Sequence, residues 1–128
     1  MANPIPKTIH IGTLGELLVQ LRLLQFDVQA AAPLKDSGND LIALKGPRCH
    51  TVQVKTTANH HLPDWPDDIV YSLLAIVDLQ GEGREIFLDR TSVYLIPREE
   101  LQGVERRWDA LEPFRISEEL VDYLFKPA

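Results

Sequence analysis

The chain has 128 residues, 45% hydrophobic and 25% charged, which suits one globular domain, residues 1–128, with a single core and excludes a disordered or two-domain chain. No apolar run approaches the roughly 20 residues of a spanning helix, and Pro4, Pro6, Lys7 and His10 stand where a signal peptide needs an apolar core, so no membrane partner is expected and the cytoplasm is the expected location. The net charge of −6 argues against a nucleic-acid binder, but up to Leu62 six basic residues stand against four acidic ones (+2), and the remainder carries −8, so any DNA-facing surface belongs to the N-terminal half.

Met1 to Ile11 reads as an extended arm, because Pro4 and Pro6 discourage helix. Gly12-Thr13 then opens a helix to about Gln25, with Thr13 as N-cap and Glu16 in its first turn, where a carboxylate favours the helix dipole. Leu14, Leu17, Leu18, Leu21 and Leu24 recur at helical spacing as the core stripe. Glu16 lies off that stripe beside Val19, Gln20 and Leu23, so it is half-enclosed if both apolar sides are covered; taken locally it reads as a capping glutamate. Phe26 to Ala30 alternates as a short strand, and Pro33 to Gly38 is a loop in which Asp36 is a turn residue.

Asn39 to Leu44 and Thr51 to Thr57 are β runs joined through Lys45-Gly46-Pro47-Arg48-Cys49 as a hairpin. Side chains two apart share a face, so Val52 and Val54 turn to the core while Gln53 and Lys55 point the other way, with Asp40 at the mouth of the partner strand beside them. The lone Cys49 leaves no internal disulfide or cysteine-based zinc cage. Ala58 to Asp68 is a polar loop that leaves the strand carrying Lys55 and so borders that group. Its adjacent His60 and His61 lack metal-ligand spacing, and Trp65 reads as a loop anchor.

Tyr71 to Leu79 is a nearly continuous apolar run, a central strand buried on both faces. Gln80 to Arg84 turns it, and Glu85 to Asp89 returns as its hairpin partner. Ser92 to Ile96 is a further strand ended by Pro97, and Arg98 to Arg107 a short helix with Leu101 and Val104 inside. Trp108, Leu111 and Phe114 close one end of the core, and Ser117 caps a last helix that buries Leu120, Val121, Leu124 and Phe125. The expected architecture is an α/β sandwich: a mixed sheet of four to five strands flanked by helices.

A carboxylate, a side-chain amide oxygen and an ammonium group at one sheet edge pack poorly unless something polar lies between them. A hard divalent cation carrying a phosphate oxygen suits the set, since magnesium takes oxygen ligands and needs only one or two carboxylates plus substrate phosphate. Asp40 and the Gln53 carbonyl oxygen are the candidate ligands, and Lys55 the candidate to hold the attacking water or the charge building up on the phosphate. Taken singly, Asp40 is a strand-start polar residue, and Gln53 and Lys55 are an exposed strand face with snorkelling stems.

Asp40, twelve intervening residues and Gln53-Val54-Lys55, preceded by Gly15-Glu16 on an N-terminal helix, resemble the PD-(D/E)XK nuclease superfamily, especially small single-domain members similar to archaeal Holliday-junction resolvases. The resemblance covers roughly the first half of the chain and implies a restriction-endonuclease-like core. It matches Glu16 to the helix glutamate, Asp40 to the motif aspartate and Lys55 to the motif lysine. Asn39 stands where the eponymous proline would be, and Gln53 replaces the acidic residue, as in a glutamine variant found in some intron-encoded homing endonucleases.

What the resemblance implies is a metal-dependent DNA endonuclease, with branched or structured DNA as a candidate substrate. Glu16, Asp40 and Gln53 would surround Mg2+ (or Mn2+), Lys55 would be the charged helper, and a homodimer would cut both strands. The alternative expectation is a catalytically inactive module of the same fold, because removing one ligand charge at Gln53 weakens magnesium. Its acidic C-terminal half would then be a protein-partner surface. A hydrolase with a Ser or Cys nucleophile has no support, since neither a Gly-x-Ser-x-Gly elbow nor a paired Cys and His occurs.

Overall fold

The computed structural model describes residues 7–35 and 39–127. In chain order the elements are α1 (Lys7–Gln25), β1 (Gln29–Ala31), β2 (Leu41–Lys45), β3 (Arg48–Thr57), β4 (Leu73–Asp78), β5 (Gly81–Glu82), β6 (Glu85–Ile86), β7 (Ser92–Pro97), two 3₁₀ segments (Arg98–Gly103 and Trp108–Phe114) and α2 (Glu118–Leu124). Five strands form one sheet in the order β1-β2-β3-β4-β7. Only β3 and β4 run parallel, so the sheet is mixed. β4 is buried along its whole length, as its apolar run requires of a central strand.

Alternation along the strands divides the interior between the two faces of the sheet. Val52, Val54, Leu73, Ala75 and Val77 meet α1 and α2 on one side. Leu74, Ile76, Tyr94 and Ile96 meet Leu101 and Leu111 of the 3₁₀ segments on the other, with Trp108 and Phe114 packed alongside. The segment expected as one short helix over Arg98 to Arg107 is 3₁₀ only as far as Gly103, with Leu101 buried. The Ser117 hydroxyl accepts the Leu120 N–H at 3.1 Å, capping α2 as its sequence predicts. His50 ties α2 to the sheet, with one ring nitrogen 2.8 Å from Ser72 Oγ and the other 2.7 Å from the Leu124 carbonyl oxygen.

Several boundaries differ from the sequence expectation. The hairpin turn is only Gly46-Pro47, since Lys45 pairs with Arg48, and Gly46 at φ 58° supplies the left-handed first position of a two-residue turn. Cys49 therefore stands on β3, exposed. The partner of β4 is β7, not Glu85 to Asp89, of which Glu85–Ile86 pairs only with Gly81–Glu82. A strand buried on both faces needs a neighbour that is buried as well. Val93 to Ile96 meets that condition, whereas Glu85 and Asp89 are exposed.

The helix α1 begins at Lys7, so the stretch to Ile11 is not an extended arm, Thr13 is not its cap and Glu16 lies in the third turn. A proline restrains itself and the residue before it, leaving those after it free to be helical. Met1 to Pro6 and the expected turn at Asp36 to Gly38 lie outside the described residues. The core stripe is also rotated: Leu18, Val19 and Leu23 are buried, while Leu17, Leu21 and Leu24 are exposed. With 3.6 residues per turn, the observed face centres on Gly15, opposite Leu17 and Leu24. A helix with leucines all round does not announce which side is inside, and here the glycine decides it.

Candidate functional site

β2 begins at Leu41, opposite Val52, so β3 continues beyond its neighbour and presents a free edge from Gln53 onward. Asp40 occupies the start of that edge. Its backbone N–H donates to the Val52 carbonyl at 3.0 Å, and its Oδ2 accepts from the Val54 N–H at 2.8 Å and from Gln53 Nε2 at 3.0 Å. A carboxylate can only accept from an amide, so this contact orients the Gln53 side chain with its nitrogen toward Asp40. Gln53 Oε1 is then left buried with no hydrogen-bond donor, and Asn39 Oδ1 and Thr56 Oγ1 are in the same condition. Buried polar atoms almost always find partners, so the unpaired Gln53 oxygen beside Asp40 suits a polar ligand there, whereas Thr56 Oγ1 lies on the other face against Gly15.

The helix reaches this edge because of Gly15. A Cβ built there would lie 1.7 Å from Thr56 Oγ1, 2.8 Å from its Cβ and 2.9 Å from its Cγ2, so only glycine allows α1 to sit this close to β3. That approach brings the next residue, Glu16, within electrostatic reach of Asp40. Burial, and secondarily the negative charge of Asp40, hold the Glu16 carboxyl above its ordinary value.

A carboxyl raised in the folded state binds its proton more tightly there than in the unfolded chain. Its ionisation therefore opposes folding at pH above the folded value, and the penalty fades as pH falls below the unfolded one. Glu16→Gln removes it. In EDTA at pH 7 the variant melts above the wild type by calorimetry, and the difference fades as pH falls below the ordinary glutamate value. A variant that melts at or below the wild type in EDTA would count against this electrostatic account.

Of the four residues singled out by the sequence, Asp40 and Gln53 are hydrogen-bonded to each other, and Glu16 lies close enough for the charge of Asp40 to act on its carboxyl. Lys55 is half-buried on the face of β3 shared with Gln53, but among the described residues it forms no ion pair with either carboxylate. No three of His, Cys, Asp and Glu gather among the described residues. The oxygen set is two carboxylates and one amide, without thiol or imidazole, a set that fits Mg2+ or Mn2+. Asp40 retains Oδ1 for such an ion, and Gln53 offers its unpaired Oε1. The structural partner of Gly15 was not read from the sequence; a glycine inside a helix, costing about 1 kcal/mol relative to alanine, was the available signal.

No protein-family model and no curated protein matches the chain. Among solved structures it is similar to a bacterial homing endonuclease, I-Ssp6803I, with a TM-score of 0.55 at 14% sequence identity, covering 91% of this chain and 93% of that one. At that identity the likeness speaks for the fold and leaves the chemistry to the residues. The five-stranded mixed sheet flanked by helices is a nuclease-like α/β fold.

Proposed function

We propose that the chain is a metal-dependent endonuclease hydrolysing phosphodiester bonds in DNA, of PD-(D/E)XK type, with Glu16, Asp40 and Gln53 holding Mg2+ or Mn2+. The observation that carries the reading is Asp40 at a free strand edge, hydrogen-bonded to a Gln53 whose amide oxygen is buried and unpaired, with Glu16 within reach of the Asp40 charge. The likeness in fold to a homing endonuclease supports it. A bound divalent cation would supply Lewis acidity toward a phosphate oxygen. Lys55, with no ion pair to either carboxylate, is the group that meets the charge developing on the phosphate or steadies the attacking water. Branched or structured DNA as substrate, and a homodimer cutting both strands, belong to the same reading.

One contact favours a second reading, a catalytically inactive module that binds nucleic acid or, through its acidic C-terminal half, another protein. The Gln53 amide already satisfies Asp40 without a cation. Supercoiled plasmid and a four-way DNA junction, incubated with the chain across Mg2+ and Mn2+ titrations, separate the two. Nicking that requires cation and is lost in Lys55→Ala is expected. A folded wild type inert with both ions and both substrates would leave only the binding module.

A further inference from the structure

We propose that His60 is a substrate-positioning residue that binds a backbone phosphate of the DNA beside the cut site; this rests on the reading of DNA as substrate. The chain reverses just after β3, where Asn59 Oδ1 accepts from Thr57 Oγ1 at 2.8 Å and from the His61 N–H at 3.1 Å. His60 stands at the apex with φ 64°, a left-handed conformation that costs a non-glycine residue of order 1 kcal/mol or more. Two independent contacts fix its ring. Nδ1 lies 2.9 Å from Asp78 Oδ2, and the ring stacks on Trp108 with centroids 4.8 Å apart and planes 13° from parallel. The Trp108 indole N–H donates in turn to the His60 carbonyl at 2.9 Å.

The carboxylate of Asp78 is buried, and its other oxygen accepts from Gln80 Nε2 at 3.1 Å. Because a carboxylate accepts, Nδ1 carries the proton and Nε2 is the free nitrogen, on a side chain 60% exposed. A histidine that merely filled a loop would need neither strained backbone nor a buried carboxylate behind it. This one is held in a set direction with Nε2 available to a ligand.

Position identifies the ligand. Asp78 is the β4 partner of Thr57, as Ile76 is of Lys55 and Leu74 of Gln53, so Asp78 lies farther along the sheet face that carries Gln53 and Lys55. At about 3.3 Å per residue, four residues separate the Gln53 and Thr57 backbones by about 13 Å. At that offset along the strand the role suited to His60 is holding the substrate, not transferring a proton at the cut site. The offset matches the distance to a phosphate about two to four nucleotides along the same strand. With Asp78 accepting from Nδ1–H, a second ring proton on Nε2 is donated to such a phosphate oxygen in a charge-assisted bond. A groove that ends at the preceding residue, Asn59, is lined also by Lys7 and Lys55 and by no carboxylate, in a chain whose net charge is −6. That local reversal of sign is what a polyanion requires.

The test is equilibrium binding of a fluorescent duplex oligonucleotide to the full chain in EDTA, where no cleavage competes, over a salt series. His60→Ala is expected to weaken binding about tenfold and to reduce the slope of log affinity against log salt by about one. His60→Lys, which keeps a cation at the apex without the ring, is expected to restore the slope. A merely structural histidine would leave the slope unchanged in every variant, and wild-type affinity and slope in His60→Ala would overturn the proposal while leaving the nuclease reading in place. A wild type that binds neither this duplex nor a four-way junction even at low salt would overturn both.

Discussion

Asp40→Asn is expected to abolish cation-dependent cleavage, by about a thousandfold or more, while leaving a folded chain. Asp40 Oδ2 accepts from both the Val54 N–H and the Gln53 amide, and an asparagine oxygen can still accept the first. What disappears is the negative charge that draws a divalent ion, and with it half of the carboxylate set. Asp40→Ala loses the same charge and also strands two donors at a partly buried edge, at a cost of about 2–4 kcal/mol in urea unfolding. Plasmid nicking and unfolding curves run on the two variants side by side separate ligation from folding. Wild-type cleavage by a folded Asp40→Asn would remove Asp40 from the reaction and with it the proposed centre.

Gly15→Ala is expected to destabilise the chain by about 2–4 kcal/mol, against the sign that helix propensity predicts. Alanine in a helix interior gains about 1 kcal/mol over glycine. The added methyl, however, meets Thr56 Oγ1 at 1.7 Å with the Thr56 Cβ and Cγ2 just behind it, so α1 must move off β3. Because Glu16 follows directly, the same displacement takes its carboxyl from Asp40, and cleavage falls further than the loss of folded protein explains. Thr56→Gly removes all three opposing atoms. The double variant should recover most of the lost stability by chemical denaturation, and strictly additive losses would show that the contact is not the cause.

Much of the site was legible because it depends on local order. The alternation of Val52-Gln53-Val54-Lys55 determines which side chains share a face, and the hairpin returns Asp40 to within one residue pair of Gln53. The apolar run over Leu73 to Asp78 likewise specifies a buried central strand, and Ser117 a helix cap, since each rests on neighbours a few residues away. The position of α1 had no such local determinant. Leucines ring that helix, and only the Gly15–Thr56 approach, across forty-one residues of chain, rotates Leu18, Val19 and Leu23 inward and Leu17, Leu21 and Leu24 outward.

The sequence by itself determined the strand face bearing Gln53 and Lys55, the carboxylate at its mouth and the α/β class, because side-chain period and turn chemistry are properties of adjacent residues. Tertiary structure alone decided that Glu16 comes within reach of the Asp40 charge, that Gln53 turns its nitrogen to that carboxylate and leaves its oxygen unpaired, and that Asp78 fixes His60. Those outcomes follow from how closely distant segments pack and from which buried polar atoms are left without partners, and neither quantity is encoded in any short stretch of chain.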